Sequence, residues 1–132
     1  MLIEIELPWP PPILSPNQKP AHWGQMQKAK KKFKEDCAWL TKLGAQYTLD
    51  PKQDVAILLF FHPPAGKANN RDLDNMRASM KYGLDSVAEM WGVNDRRFRP
   101  NFDDWDEPVP HGKVRLIACS HHMLIPLLTK YY

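Results

Sequence analysis

The chain has 132 residues, 43% of them hydrophobic, and a net charge of +3, which suits one compact domain that closes a core without disulfides or a structural metal. No apolar run reaches the roughly 18 residues of a membrane span. Acidic Glu4 and Glu6 stand where a secretory leader would be basic, and Cys37 and Cys119 form no paired-cysteine motif, so the expectation is a cytoplasmic single domain over residues 1–132 with two buried thiols and no membrane partner.

The charge is unevenly spread. Six lysines and no acid lie between Lys19 and Lys34, whereas acids gather between Asp72 and Glu107. That separates a surface suited to phosphates from a place where carboxylates collect.

Residues Leu2 to Leu7 alternate apolar and acidic side chains and predict a short strand, stopped by Pro8, which cannot donate to a ladder. The proline-rich stretch from Pro8 to Pro20 reads as a rigid, polyproline-like crossing. From about Gln25 to Leu43, Met26, Ala29, Phe33, Cys37 and Leu40 recur at steps of three and four, one face of a helix. Its other faces carry Lys28, Lys30, Lys31, Lys32 and Lys34, either a solvated surface or a phosphate-binding one.

Asp54 to Phe61 ends in a continuous apolar run and predicts a strand buried on both faces, closed by His62-Pro63-Pro64. A loop from Ala65 to Arg71, with Lys67 and Arg71, leads into Asp72-Leu73-Asp74-Asn75. A second helix follows over roughly Met76 to Trp91, its buried stripe Met76, Met80, Leu84, Val87 and Trp91, with Gly92 at the C-terminal cap. Asn94 to Gly112 shows no clear period and reads as loop. Lys113 to Ser120 predicts a third strand, and the apolar ending Met123 to Tyr132 is expected to pack on the domain or on a second subunit. The sum is an α+β domain, a small mixed sheet flanked by at least two helices.

Asp72 and Asp74 point to one side if the backbone between them is extended. At about 5 Å in an effective dielectric of about 20, two such charges repel by roughly 3 kcal/mol, which calls for a cation or a proton. Magnesium or manganese, with their preference for hard oxygen ligands, would supply the cation. The plainer alternative is that Asp74 or Asn75 caps the second helix. Ala78, Lys81 and Asp85 continue a polar stripe from Asp74, so Lys81 either steadies a phosphate or pairs with Asp85 on the surface. Asp95, beyond the helix, is placed to return toward the same end. Carboxylates with a basic loop fit metal-assisted phosphodiester cleavage. The five histidines show no ligand spacing; His62 either ends a strand or meets DNA, and Trp9, Trp23 and Trp105 fill a core or interface or wedge into a branch point.

Four stretches, Leu7-Pro8-Trp9-Pro10-Pro11, His62 with Pro64, Arg71-Asp72-Leu73-Asp74-Asn75 with Lys81 and Asp85, and Gly92-Val93-Asn94-Asp95, resemble the RusA family of crossover junction endodeoxyribonucleases over residues 2 to about 99. The resemblance implies a RusA-like, homodimeric Holliday junction resolvase of prophage type, serving DNA recombination and repair. It implies magnesium held by Asp72, Asp74 and Asp95, an essential Lys81, and no nucleotide cofactor. A four-way DNA junction would be nicked symmetrically, and Lys28, Lys30, Lys31, Lys32, Lys34, Lys67 and Arg71 would then contact phosphates and steepen the salt dependence of binding. Two positions depart from the pattern: the lysine falls three residues late, with Ala78 at the usual place, and Asn94 replaces the first acid of a frequent Asp-Asp pair. The rival expectations are a branched-DNA-binding protein without turnover and a nuclease for other branched DNA.

Overall fold

The computed structural model describes residues 1–16, 23–44, 47–66 and 72–132. Strand β1 (Leu2–Pro8) is followed by a 3₁₀ turn (Pro12–Leu14), helix α1 (Trp23–Gly44), strand β2 (Val55–His62), helices α2 (Leu73–Ser79) and α3 (Lys81–Met90), a second 3₁₀ turn (Asp95–Arg97), strands β3 (Phe98–Trp105) and β4 (Lys113–Cys119), and helix α4 (His121–Tyr131). It is a small α+β domain with a mixed four-stranded sheet in the order β1-β4-β2-β3. The pair β1/β4 and the pair β4/β2 are antiparallel; β2/β3 is parallel. A parallel pair needs a crossover, and α2 and α3 supply it.

Period-two alternation sorts the strands onto two apolar layers. Ile3, Ile5 and Leu7 of β1, Val55, Ile57, Leu59 and Phe61 of β2, and Val114, Leu116 and Ala118 of β4 join Phe33 and Cys37 of α1 and Val87 of α3 in one core. Ala56, Leu58 and Phe60 of β2 and Ile117 and Cys119 of β4 face the other way, onto Leu127 of α4. The continuous apolar run of β2 is thereby explained: all eight of its residues are buried. Both cysteines are free and buried, and burial pushes the Cys37 thiol up to about 12.

Three expectations need correction. Asn94 to Gly112 is not a loop throughout, because it contains β3. As an edge strand, paired on one side by β2, it tolerates the charged residues and proline that hide its period. The second helix begins at Leu73 and is broken at Met80, whose backbone N–H is shared between Met76 O at 3.2 Å and Arg77 O at 3.0 Å. The proline-rich crossing is not extended throughout, since Pro12–Leu14 form a 3₁₀ turn with Pro12 at its start, where a missing N–H costs nothing; residues 17–20 lie outside the described residues.

Gly92 does end α3. It adopts φ +75°, and its N–H donates to Glu89 O while that of Val93 donates to Ala88 O, the paired bonds of a glycine-terminated helix. The apolar ending is α4, which packs on the sheet's second face. Trp9 and Trp105 both pack against Phe61, whereas Trp23 is exposed. His62 ends β2 and is buried; its Nδ1 bonds Glu107 O at 2.8 Å and its Nε2 accepts from Arg115 Nε at 3.0 Å. Among the described residues no helix is long and apolar enough to cross a membrane.

Candidate carboxylate and phosphate site

Asp72 is the N-cap of α2: its backbone is extended (φ −90°, ψ 167°), and its Oδ1 accepts from Asn75 N at 2.8 Å. Asp74 already lies within the first helical turn. The expected extended run through Asp72-Leu73-Asp74 is therefore corrected, because the helix starts one residue after Asp72. An acid at each of these positions suits the positive end of the helix. The cap belongs to Asp72, not to Asp74 or Asn75.

Asp74 instead opens onto a cleft of about 380 Å³ lined by Asp74, Arg77, Ala78, Lys81, Leu84, Asp95, Phe98 and Asn101. The structure brings Asp74, Lys81 and Asp95 to one cleft, and Asp72 does not line it. Ala78 and Lys81 both border it. The shifted lysine coincides with the break at Met80, after which α3 starts at Lys81.

Asp95 arrives through the turn after Gly92, and Asn94 caps that turn by accepting from Arg96 N at 3.0 Å. Asn94 therefore has a local structural task. Asp95 meets Asp85 of α3. Burial first, then a hydrogen bond and charge from Asp95, push the Asp85 carboxyl up to about 6, against the pull of Lys81 and Lys34. Two carboxylates that hydrogen-bond each other hold a proton between them.

The sequence reading missed the contribution of β3. Its residues Asn101, Asp103 and Trp105 share the face toward α2 and the main core, whereas Phe102 and Asp104 look toward α4. Asp103, paired in register with Leu59, receives a bond from Arg77 Nη1 to its Oδ2 at 3.2 Å. Its Oδ1 is buried without a hydrogen-bond partner among the described residues. Burial raises the Asp103 pKa, Arg77 opposes this, and Asp74 adds to it. The signal available in the sequence was the alternation Phe98, Asn101, Asp103, Trp105, broken by Pro100.

The basic residues also separate. Lys30 lies 4.6 Å from the ring centre of Tyr82 on α3, and Lys34 is 3.6 Å from Glu89 and pulls on Asp85, so Lys34 is close enough to the carboxylates to act on them. Lys28 and Lys31 are exposed, and Lys32 is tied to Asp36 at 2.8 Å. Lys67 and Arg71 lie outside the described residues. Among the described residues no three acid, imidazole or thiol groups form a ready-made metal cage. The arrangement juxtaposes acids that burial makes reluctant to ionise with the cationic side chains of Arg77 and Lys81 that line the same cleft, which is suited to binding a cation and a phosphate together.

No family model matches the chain. Among curated proteins, an uncharacterized protein of Xylella fastidiosa (strain Temecula1 / ATCC 700964) is 31% identical over 96 residues, which are 71% of this chain and 61% of that protein. The chain therefore spans less than two thirds of that relative's length.

Proposed function

We propose that the chain is a magnesium-dependent, structure-specific DNA endonuclease of the RusA type, cytoplasmic, acting as a homodimer on four-way junctions in recombination and repair. The observation that carries the reading is the convergence of Asp74, Lys81 and Asp95, distant in sequence, on one cleft. A two-fold dimer suits a two-fold substrate, and Lys28, Lys30, Lys31, Lys32, Lys34, Lys67 and Arg71 would then be phosphate contacts.

The residues present fit a divalent cation. Asp85 and Asp95 lie against each other, a close pair of acids whose mutual repulsion a cation would relieve, and the buried Oδ1 of Asp103 has no hydrogen-bond partner among the described residues. Asp74 and Asp95, with Asp85 beside them, would hold the ion, and Asp72, whose Oδ1 caps α2, would add only its other oxygen. Magnesium so held would polarise the phosphoryl oxygen and lower the pKa of a bound water. Lys81, on the rim with Asp74, would neutralise charge developing on the phosphate. The apolar wall of Leu84 and Phe98 excludes bulk water from one side, which strengthens each of these interactions.

The test is cleavage of a labelled immobile four-way junction and of matching linear duplex, with magnesium or with chelator, by wild type and Asp74→Asn. Paired nicks that need magnesium, spare the duplex and fall by at least about 100-fold in Asp74→Asn support the proposal. Tight junction binding without nicks would make the protein a branched-DNA binder, and nicks in flaps but not junctions would change the substrate.

A further inference from the structure

The proposed chemistry gives no task to Arg77, which lines the cleft, or to the pair it makes with Asp103 beside it. Arg77 is three residues after Asp74 on α2, one turn along the same helix face, and it lines the cleft together with Asp74 and with Lys81 at the start of α3. Its guanidinium carries five donors in a rigid planar fork. One of them is engaged by Asp103 at 3.2 Å, and the side chain remains 39% exposed.

Asp103 is a costly partner. Its side chain is only 16% exposed, and its second oxygen is buried without a bond among the described residues. A carboxylate in such a place loses more hydration than a single long ion pair returns. As a stabilising device the pair is poor, but as a means of orienting a guanidinium it is effective. The carboxylate approaches from the rigid strand β3, while Arg77 comes from α2, so strand and helix together set the direction of the fork.

We infer that Arg77 is a phosphate-contacting residue of this cleft and that Asp103 is the positioning residue that aims it. This rests on the nuclease reading for its catalytic consequence, but the contact itself is to a nucleic-acid phosphate and is readable in binding alone. A planar fork matches two phosphate oxygens at once, which an ammonium cannot do. Arg77 therefore fixes the orientation of the phosphate and Lys81 adds charge. The anion lies over Asp74, Arg77 and Lys81, and the carboxylates of Asp85 and Asp95 close the opposite side.

The experiment compares wild type with Arg77→Ala, Arg77→Lys, Asp103→Asn and the double variant Arg77→Ala/Asp103→Asn. Junction affinity is measured in chelator over a series of salt concentrations, and single-turnover nicking in magnesium. Thermal unfolding identifies any variant that fails to fold, in which case Arg77→Lys, which keeps the charge and the stem, carries the comparison. Arg77→Ala is expected to lower the log–log salt slope by close to one unit and nicking by about 100-fold. Arg77→Lys keeps the slope yet restores little of the nicking, a split that a merely structural role would not produce. Asp103→Asn lowers nicking in wild type by about 10-fold and has no further effect when Arg77 is already alanine.

An unchanged slope in Arg77→Ala overturns the contact. An Asp103→Asn loss equally deep with and without Arg77 overturns the positioning role. Wild-type protein that binds junctions with the expected slope difference but never nicks removes the nuclease reading and leaves the phosphate contact standing.

Discussion

Asp85 is the residue whose environment speaks most directly. Its carboxyl is pushed from 3.8 up to about 6 by burial and by Asp95, so the folded protein binds this proton more tightly than the unfolded chain does. The resulting stabilisation is fully present below 3.8 and is lost as pH rises through about 6. Metal-free protein should therefore unfold at a lower temperature at pH 8 than at pH 4 as far as this pair is concerned. Asp85→Asn should flatten that part of the profile and gain about 1 kcal/mol at pH 8, after allowance for solvent screening of a half-buried group. Magnesium should raise the unfolding temperature of wild type at pH 8 more than that of Asp85→Asn. An Asp85→Asn profile parallel to wild type across this range, with the same response to magnesium, would show that the Asp85 carboxyl is not held protonated by its surroundings. The residues of the cleft were unequally legible. Asp74, Lys81 and Asp95 stand in a spaced pattern, but Arg77 and Asp103 are 26 positions apart, and only packing brings their charges together.

At the scale of elements, the site depends on how α3 is seated against α1. Gly83 allows the close approach: a Cβ there would stand 2.8 Å from Phe33 Cε2 and 3.0 Å from Cys37 Sγ, both in side chains that are fully or nearly fully buried. Ser86, one turn on, donates from Oγ to Lys34 O at 2.7 Å and fixes the same contact. Replacing the glycine by alanine in a helix gains about 1 kcal/mol of propensity, whereas overpacking a closed core costs about 1–3 kcal/mol. Since Phe33 has no open side to move into, the loss wins: Gly83→Ala should lower stability by about 1–2 kcal/mol in denaturant titration. The same substitution should weaken nicking, because α3 carries Lys81 and Asp85. A more stable Gly83→Ala protein would mean that α1 and α3 can slide apart at no cost. The helix itself was legible from its stripe, and so was its end at Gly92. The break at Met80 was not, since no proline or glycine announces it.

Across the whole molecule, the sheet separates two apolar layers, and the candidate cleft lies with α2 and α3 on one of them while α4 closes the other. Leu127 is the buried anchor of α4, packed with Leu58, Phe60 and Ile117. Leu127→Ala should cost about 2–3 kcal/mol, near the lower end for a core leucine because the site is at the rim. Junction affinity should stay within about twofold of wild type at a temperature where the variant is folded, since sites this far apart with no shared partner act additively. Lost affinity in a folded Leu127→Ala protein would show that α4 takes part in binding or holds a partner subunit.

The sequence by itself determined the pieces whose signal is local. Three strands, the lysine-bearing helix, the glycine stop and the gathering of acids between Asp72 and Asp95 follow from periodicity and from the conformational limits of glycine and proline. Tertiary structure alone decided the rest. Whether Asp72 lies in an extended run with Asp74 or caps a helix depends on where α2 begins, and the N–H of Asn75 in its first turn takes one oxygen of that carboxylate. Whether Phe98 to Trp105 is loop or strand depends on its pairing with β2, and an edge strand with polar residues on both faces and a proline inside it carries an alternation too interrupted to be read as a strand. That strand brings Asp103 to Arg77, because long-range pairing places side chains together by geometry that no local pattern records.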